Sequence, residues 1–213
     1  MKKIITLLLA ALMPVSLISC SKKQPAPAAS AQPQATAAAH VFDEKIADAG
    51  WAKQESLGNV KTEDGSTYAV ITVPEVFAGS DITQTNLDSE AGETYTSAKL
   101  NDDGSVTYKM TRDQYNAMLR TLSETWDKSF DEVVAGPNNA VTKIEHNDHY
   151  SVFDVTLNTD KVGLAEGFLS FAFYAYGGRY GTYLGDEPKE IIVNYYAPDG
   201  KLISTESSAK FTN

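Results

Sequence analysis

The 213 residues carry 28 acidic against 18 basic side chains, a net charge of −10, with 42% hydrophobic residues and one cysteine. An acidic chain repels polyanions, which argues against nucleic acid and against anionic lipid as electrostatic partners. A lone cysteine excludes an internal disulfide and any multi-cysteine metal centre, so the fold must stand on its apolar core.

The chain opens with Lys2 and Lys3, then an apolar run of Ile4, Ile5 and Leu7 to Met13 before Pro14. Positive start and short apolar run are the plan of a secretory signal. The run is shorter than the roughly 20 residues a membrane-spanning helix needs, and no later segment supplies such a span. It ends in Leu17-Ile18-Ser19-Cys20, which resembles the lipobox of bacterial lipoproteins. The resemblance implies that residues 1–19 are a signal peptide removed before Cys20, and that the Cys20 thiol carries a diacylglyceryl group. It also implies a location on the extracytoplasmic face of the cell membrane, held by lipid. One acyl chain binds only marginally, whereas two or more make a stable anchor. Loss of Lys2 and Lys3 leaves 16 basic against 28 acidic side chains, a net of −12.

Residues 21–39 read SKKQPAPAASAQPQATAAA and offer almost nothing to bury. Such a composition cannot offset its ordering entropy, so 20–39 is expected to be a lipidated cysteine with a disordered tether, and 40–213 a single globular domain.

Within the domain, Val41, Phe42, Ile46 and Ala47 suit one short helix before Gly50-Trp51. Asp64-Gly65 then falls between alternating segments, a strong hairpin signal because Gly accepts positive φ without penalty. Residues 79–97 are polar and read as a long connection. Asp102-Asp103-Gly104 repeats the turn pattern and leads through Tyr108-Lys109-Met110 into Thr111 and Gln114, which fit a capping box. Tyr115, Met118, Leu119, Leu122, Trp126, Phe130 and Val133 mark one face at helical spacing until Gly136-Pro137.

Asn147-Asp148 marks a third hairpin. Asp160 is placed to cap a second main helix through Leu164, Phe168, Leu169, Phe171, Phe173 and Ala175, apolar on nearly every side and so either largely buried or presented to a partner. Gly177-Gly178 is expected to end it. Pro198-Asp199-Gly200 marks a fourth hairpin.

Four hairpins and two main helices specify an α+β fold, with an antiparallel sheet covered on one face by the two helices. The order strand, helix, strand, strand, helix, strand from about Ser105 to Tyr196 matches a ferredoxin-like βαββαβ core. The signal, the tether, the Asp-Gly-Ser turns and the aromatic second helix together resemble the small uncharacterised lipoproteins of Gram-positive gut bacteria. That resemblance covers most of residues 60–205. Its motifs are turns and caps, so it implies fold and location and carries over no catalytic or ligand-binding residue.

Residues with chemistry are few. Glu145-His146-Asn147-Asp148-His149 sets two imidazoles beside carboxylates, which suggests a divalent metal, but three or four converging ligands are needed and a polar hairpin tip explains the same residues. Glu124, Asp127, Asp131 and Glu132 raise the question of paired carboxylates for glycoside hydrolysis. Their place opposite the apolar stripe reads instead as a solvated face. No nucleophile elbow, calcium loop or phosphate loop is present, and no cofactor is called for.

A concentration of rings remains. Arg179, Tyr180 and Tyr183 in a glycine-rich loop after the second helix form the expected binding surface, for a protein or glycan partner at the cell surface. The sequence thus favours a non-enzymatic binding module over its alternative, a cell-envelope hydrolase without a visible motif.

Overall fold

In the computed structural model, which describes residues 42–79 and 81–211, the hairpin signals each become a turn between paired strands. The signal at 1–19, Cys20, the 20–39 tether and His40 lie outside the described residues. The elements run α1 (Glu44–Ser56), β1 (Val60–Glu63), β2 (Ser66–Val73), α2 (Glu75–Ala78), α3 (Gln84–Glu90), β3 (Ser97–Leu100) and β4 (Val106–Thr111). They continue with α4 (Arg112–Ala135), β5 (Val141–His146), β6 (Val152–Leu157), α5 (Leu164–Leu184), β7 (Ile192–Tyr196), β8 (Leu202–Ser207) and a final 3-10 turn at Ser208–Phe211.

The β1–β2 turn holds Asp64 and Gly65 at φ 50° and 78°, the paired positive values of a two-residue hairpin loop whose twist matches its strands. The strands form two four-stranded sheets, not one. The first has order β1-β2-β4-β3 and is antiparallel throughout, while the second has order β5-β6-β7-β8. In the second, β6 and β7 run parallel, because α5 carries the chain back to the starting edge of the sheet.

The α+β class therefore holds, but the run from Ser105 to Tyr196 does not close into a single ferredoxin-like sheet. β4 pairs with β2 and β3, and β5 to β7 belong to the other sheet. The length of α4 explains the split: 24 residues rise about 36 Å, enough to leave the first sheet and begin a second.

α4 starts at the capping box, in which the Thr111 hydroxyl accepts from the Gln114 amide and the Gln114 side chain accepts from the Thr111 amide. Its stripe of Tyr115, Met118, Leu119, Leu122, Trp126 and Phe130 is buried as the spacing predicts. It contacts β2, β4 and β5, so this one helix bridges both sheets. Phe130 meets Phe153 of β6 at 5.9 Å and Phe173 of α5 at 5.6 Å between ring centroids, and Phe173 stacks on Phe153 at 4.5 Å.

Three elements differ from expectation. α1 passes through Gly50-Trp51 to Ser56, and the 79–97 stretch contains α3. α5 begins after Gly163, which offers no side-chain cap, and Asp160 does not cap it.

Candidate functional site

The glycines of α5 do not end the helix. They lie inside it, and Gly177, Gly178 and Gly181 sit where another element comes too close for a side chain. A Cβ at Gly177 would collide with the Tyr150 main-chain carbonyl and lie 2.8 Å from Ile191 Cδ1. At Gly178 it would lie 2.6 Å from Phe77 Cζ, and at Gly181 2.5 Å from Pro188 Cδ. The helix ends instead at Gly185, whose φ of 68° is the left-handed conformation that commonly terminates helices.

This placement corrects the expected binding loop. Tyr180 and Tyr183 are 1% and 2% exposed, and Arg179 is half-buried. Burial holds the Tyr183 phenol above its ordinary value, and the neighbouring Arg179 charge only partly opposes that shift. The main-chain carbonyl of Tyr183 accepts hydrogen bonds from the Gln54 side chain at 2.7 Å and from the Tyr115 hydroxyl at 3.0 Å. The Tyr183 carbonyl thus ties α1, α4 and α5 together, and the Tyr180 and Tyr183 rings face the core and not solvent.

The third hairpin holds a polar network that the sequence did not reveal. Tyr150 closes the β5–β6 turn at φ 53°, a left-handed conformation that costs a non-glycine residue roughly 1–2 kcal/mol. Its ring is held by packing: it stacks on His146 at 4.1 Å and meets Trp126 at 5.2 Å and Tyr180 at 4.8 Å. The Tyr150 hydroxyl donates to Asp127 Oδ1 at 3.1 Å and so accepts from Ser123 Oγ, 2.8 Å away. His146 Nε2 lies 2.9 Å from the same carboxylate oxygen, and its Nδ1 lies 2.9 Å from the Asn147 carbonyl. One ring nitrogen of His146 thus faces the Asp127 carboxylate and the other the Asn147 carbonyl, with the donor set by the tautomer of the ring.

Asp127 therefore departs from the solvated face expected for it, whereas Glu124, Asp131 and Glu132 are exposed. Burial keeps the Tyr150 phenol protonated far beyond its usual range, with the Asp127 charge adding to the effect. Ser123 and Tyr150 are each 1% exposed, so the network presents no nucleophile to a substrate. Its chemistry is that of a pin fastening the hairpin to α4.

His149, on the same hairpin, is exposed. With Asn147, Ser151, Asp186 and Pro188 it lines an open cleft of about 300 Å³. Among the described residues no three His, Cys, Asp or Glu side chains converge as a metal site requires.

The outer face of α5 differs from the rest of the surface. Leu164 is 80% exposed, Phe168 61% and Phe171 49%, at i, i+4 and i+7 spacing, with Ala175 exposed a turn further on. Phe211 of the final turn, 62% exposed, packs on Phe171 at 5.2 Å and on Tyr174 at 6.1 Å. The only charged residues on α5 are Glu166 and Arg179. Glu166 faces inward, 5% exposed, where Oε1 accepts the Ala140 amide at 2.8 Å and its main-chain carbonyl accepts the Tyr195 hydroxyl at 2.6 Å. Leu164, Phe168, Phe171 and Phe211 thus form one exposed, ring-rich apolar stripe.

No family model, no curated protein and no solved structure matches the chain.

Proposed function

We propose that the protein is a lipid-anchored extracytoplasmic lipoprotein whose domain is a non-enzymatic binding or interaction module. The observation that carries the module reading is the exposed Leu164, Phe168, Phe171 and Phe211 stripe, on a domain whose buried Ser-Tyr-Asp-His network is closed to substrates. The anchor reading rests on the lipobox-like Leu17-Ile18-Ser19-Cys20 and on Cys20 being the only cysteine. A hydrolase reading draws on the open cleft whose lining includes one imidazole, His149, and one carboxylate, Asp186.

Detergent phase partitioning of the protein made in its own cells tests the anchor. The wild type should enter the detergent phase and carry fatty-acid label while Cys20→Ala does neither, and label incorporated equally into the variant would refute the lipid on Cys20. Turnover of a cell-wall glycan or peptide that disappears in His149→Ala would replace the module reading with the hydrolase.

A further inference from the structure

We infer that the α5 stripe is an interfacial contact with the bilayer that carries the lipid of Cys20, so that the domain lies against the membrane instead of standing off it. The inference rests on the anchor proposed above and adds to it a second, protein-made membrane contact.

Area comes first. A Phe side chain covers about 150–250 Å² when buried, so the exposed parts of Leu164, Phe168, Phe171 and Phe211 together offer about 500 Å². A stable protein interface needs roughly 800 Å² on each side. The stripe is thus undersized as the sole contact in a dimer of two copies. It suffices for a contact that need not capture its partner from solution, because an anchored domain meets its own bilayer at high effective concentration.

Reach comes second. Fully extended, the chain from Cys20 to Asp43 spans at most about 80 Å, while α5 with its 21 residues is about 30 Å long. The anchor can therefore lie beside any face of the domain. A shorter connection would have fixed the face nearest α1.

Chemistry comes third. Insertion into the headgroup and acyl boundary needs an apolar helix face with no charge carried inward with it. The outer face of α5 meets that condition, because Glu166 is turned into the core and Arg179 lies more than two turns beyond Phe171. The charges beside Phe211 and Tyr174, Lys210 and Glu206, pair with each other at 2.8 Å at its edge. With a net of −12 after signal removal, the domain is not drawn to anionic lipid by charge, so the contact rests on the rings themselves. It should accordingly resist salt, which weakens contacts between exposed charges.

The test uses the lipidated protein carrying Phe168→Trp, purified in detergent and reconstituted into phosphatidylethanolamine and phosphatidylglycerol vesicles containing a doxyl-labelled lipid. Wild type, with its buried Trp51 and Trp126, supplies the background. Doxyl lipid should quench the added emission at low and at high salt. Vesicles that float with the protein while its added tryptophan stays unquenched would overturn the membrane contact and leave the anchor standing. Protein that fails to float would overturn both. A concentration-dependent dimer in detergent that Phe168→Asp abolishes would overturn the inference by assigning the stripe to a second copy.

Discussion

The main-chain carbonyl of Tyr150 occupies the space into which a side chain at Gly177 would project, so the β5–β6 turn and α5 meet backbone to backbone. A backbone oxygen held by a hairpin cannot swing aside as a flexible side chain can. Gly177→Ala should therefore destabilise by roughly 1–3 kcal/mol through overpacking. That exceeds the roughly 0.5–1 kcal/mol that alanine gains over glycine inside a helix. Gly167 lies on the same helix with nothing near its Cβ position, so Gly167→Ala should raise the urea midpoint while Gly177→Ala lowers it. A gain in both variants would mean that α5 does not approach the turn so closely.

The polar pin gives an ordered pair of losses. Asp127→Ala leaves the Tyr150 hydroxyl and the His146 ring without their shared acceptor and should cost about 3 kcal/mol. Ser123→Ala removes one neutral bond from a hydroxyl that still reaches Asp127, and should cost about 1 kcal/mol. Equal losses by denaturant unfolding would show that Asp127 does not hold the network together.

Rings on opposite faces of α5 should behave oppositely. Phe173, 2% exposed and stacked on Phe153, should cost about 3–5 kcal/mol when truncated to alanine. Phe168→Ala, on the exposed face, should move stability by no more than about 0.5 kcal/mol. Thermal melts of the two variants decide whether the helix phase is right.

Alkaline pH should unfold the domain cooperatively. Burial raises the phenols of Tyr115, Tyr150 and Tyr180 well above their ordinary value of 10.0 and pushes Tyr195 up to about 12. A group that holds its proton more tightly when folded stabilises fully below the unfolded value, and that contribution fades as pH rises through the folded value. Each such phenol removes about 1.4 kcal/mol per pH unit above 10, so four remove roughly 5 kcal/mol by pH 11. That is comparable with the whole stability of an ordinary domain, about 5–15 kcal/mol. Tyrosinate absorbance should thus rise together with loss of structure, and a smooth titration around pH 10 in a folded protein would contradict the burial of these rings.

Signals that act locally are legible in the sequence. Asp64-Gly65 and the Thr111–Gln114 box each contain their own geometry within a few residues, and both form as the sequence implies. Gly50, Gly177 and Gly178 misled because a glycine looks alike whether it frees a turn or admits a neighbour. At 50 the neighbour is the Tyr115 hydroxyl, at 177 the Tyr150 carbonyl and at 178 the Phe77 ring, all distant in sequence. The same blindness hid the pin, since Asp127, His146 and Tyr150 meet only once the hairpin folds over α4. The expected loop at 179–183 is part of α5, because the helix runs on to Leu184, and this turns Tyr180 and Tyr183 inward. The apolar surround of α5 was legible, but its division into a core face and an outer face depends on where Phe153 and Tyr195 lie.

The parallel pairing of β6 with β7 places the completion of the second sheet in the hands of the last part of the chain. Because synthesis delivers the chain N-terminus first, the β5–β6 hairpin waits with one edge open until all of α5 and then β7 have emerged. An open, apolar strand edge is a template for pairing with another chain. A truncation before Ile192 should therefore produce aggregation and not a shorter domain, because the strand that shields Val155 and Phe153 from that fate is among the last to arrive.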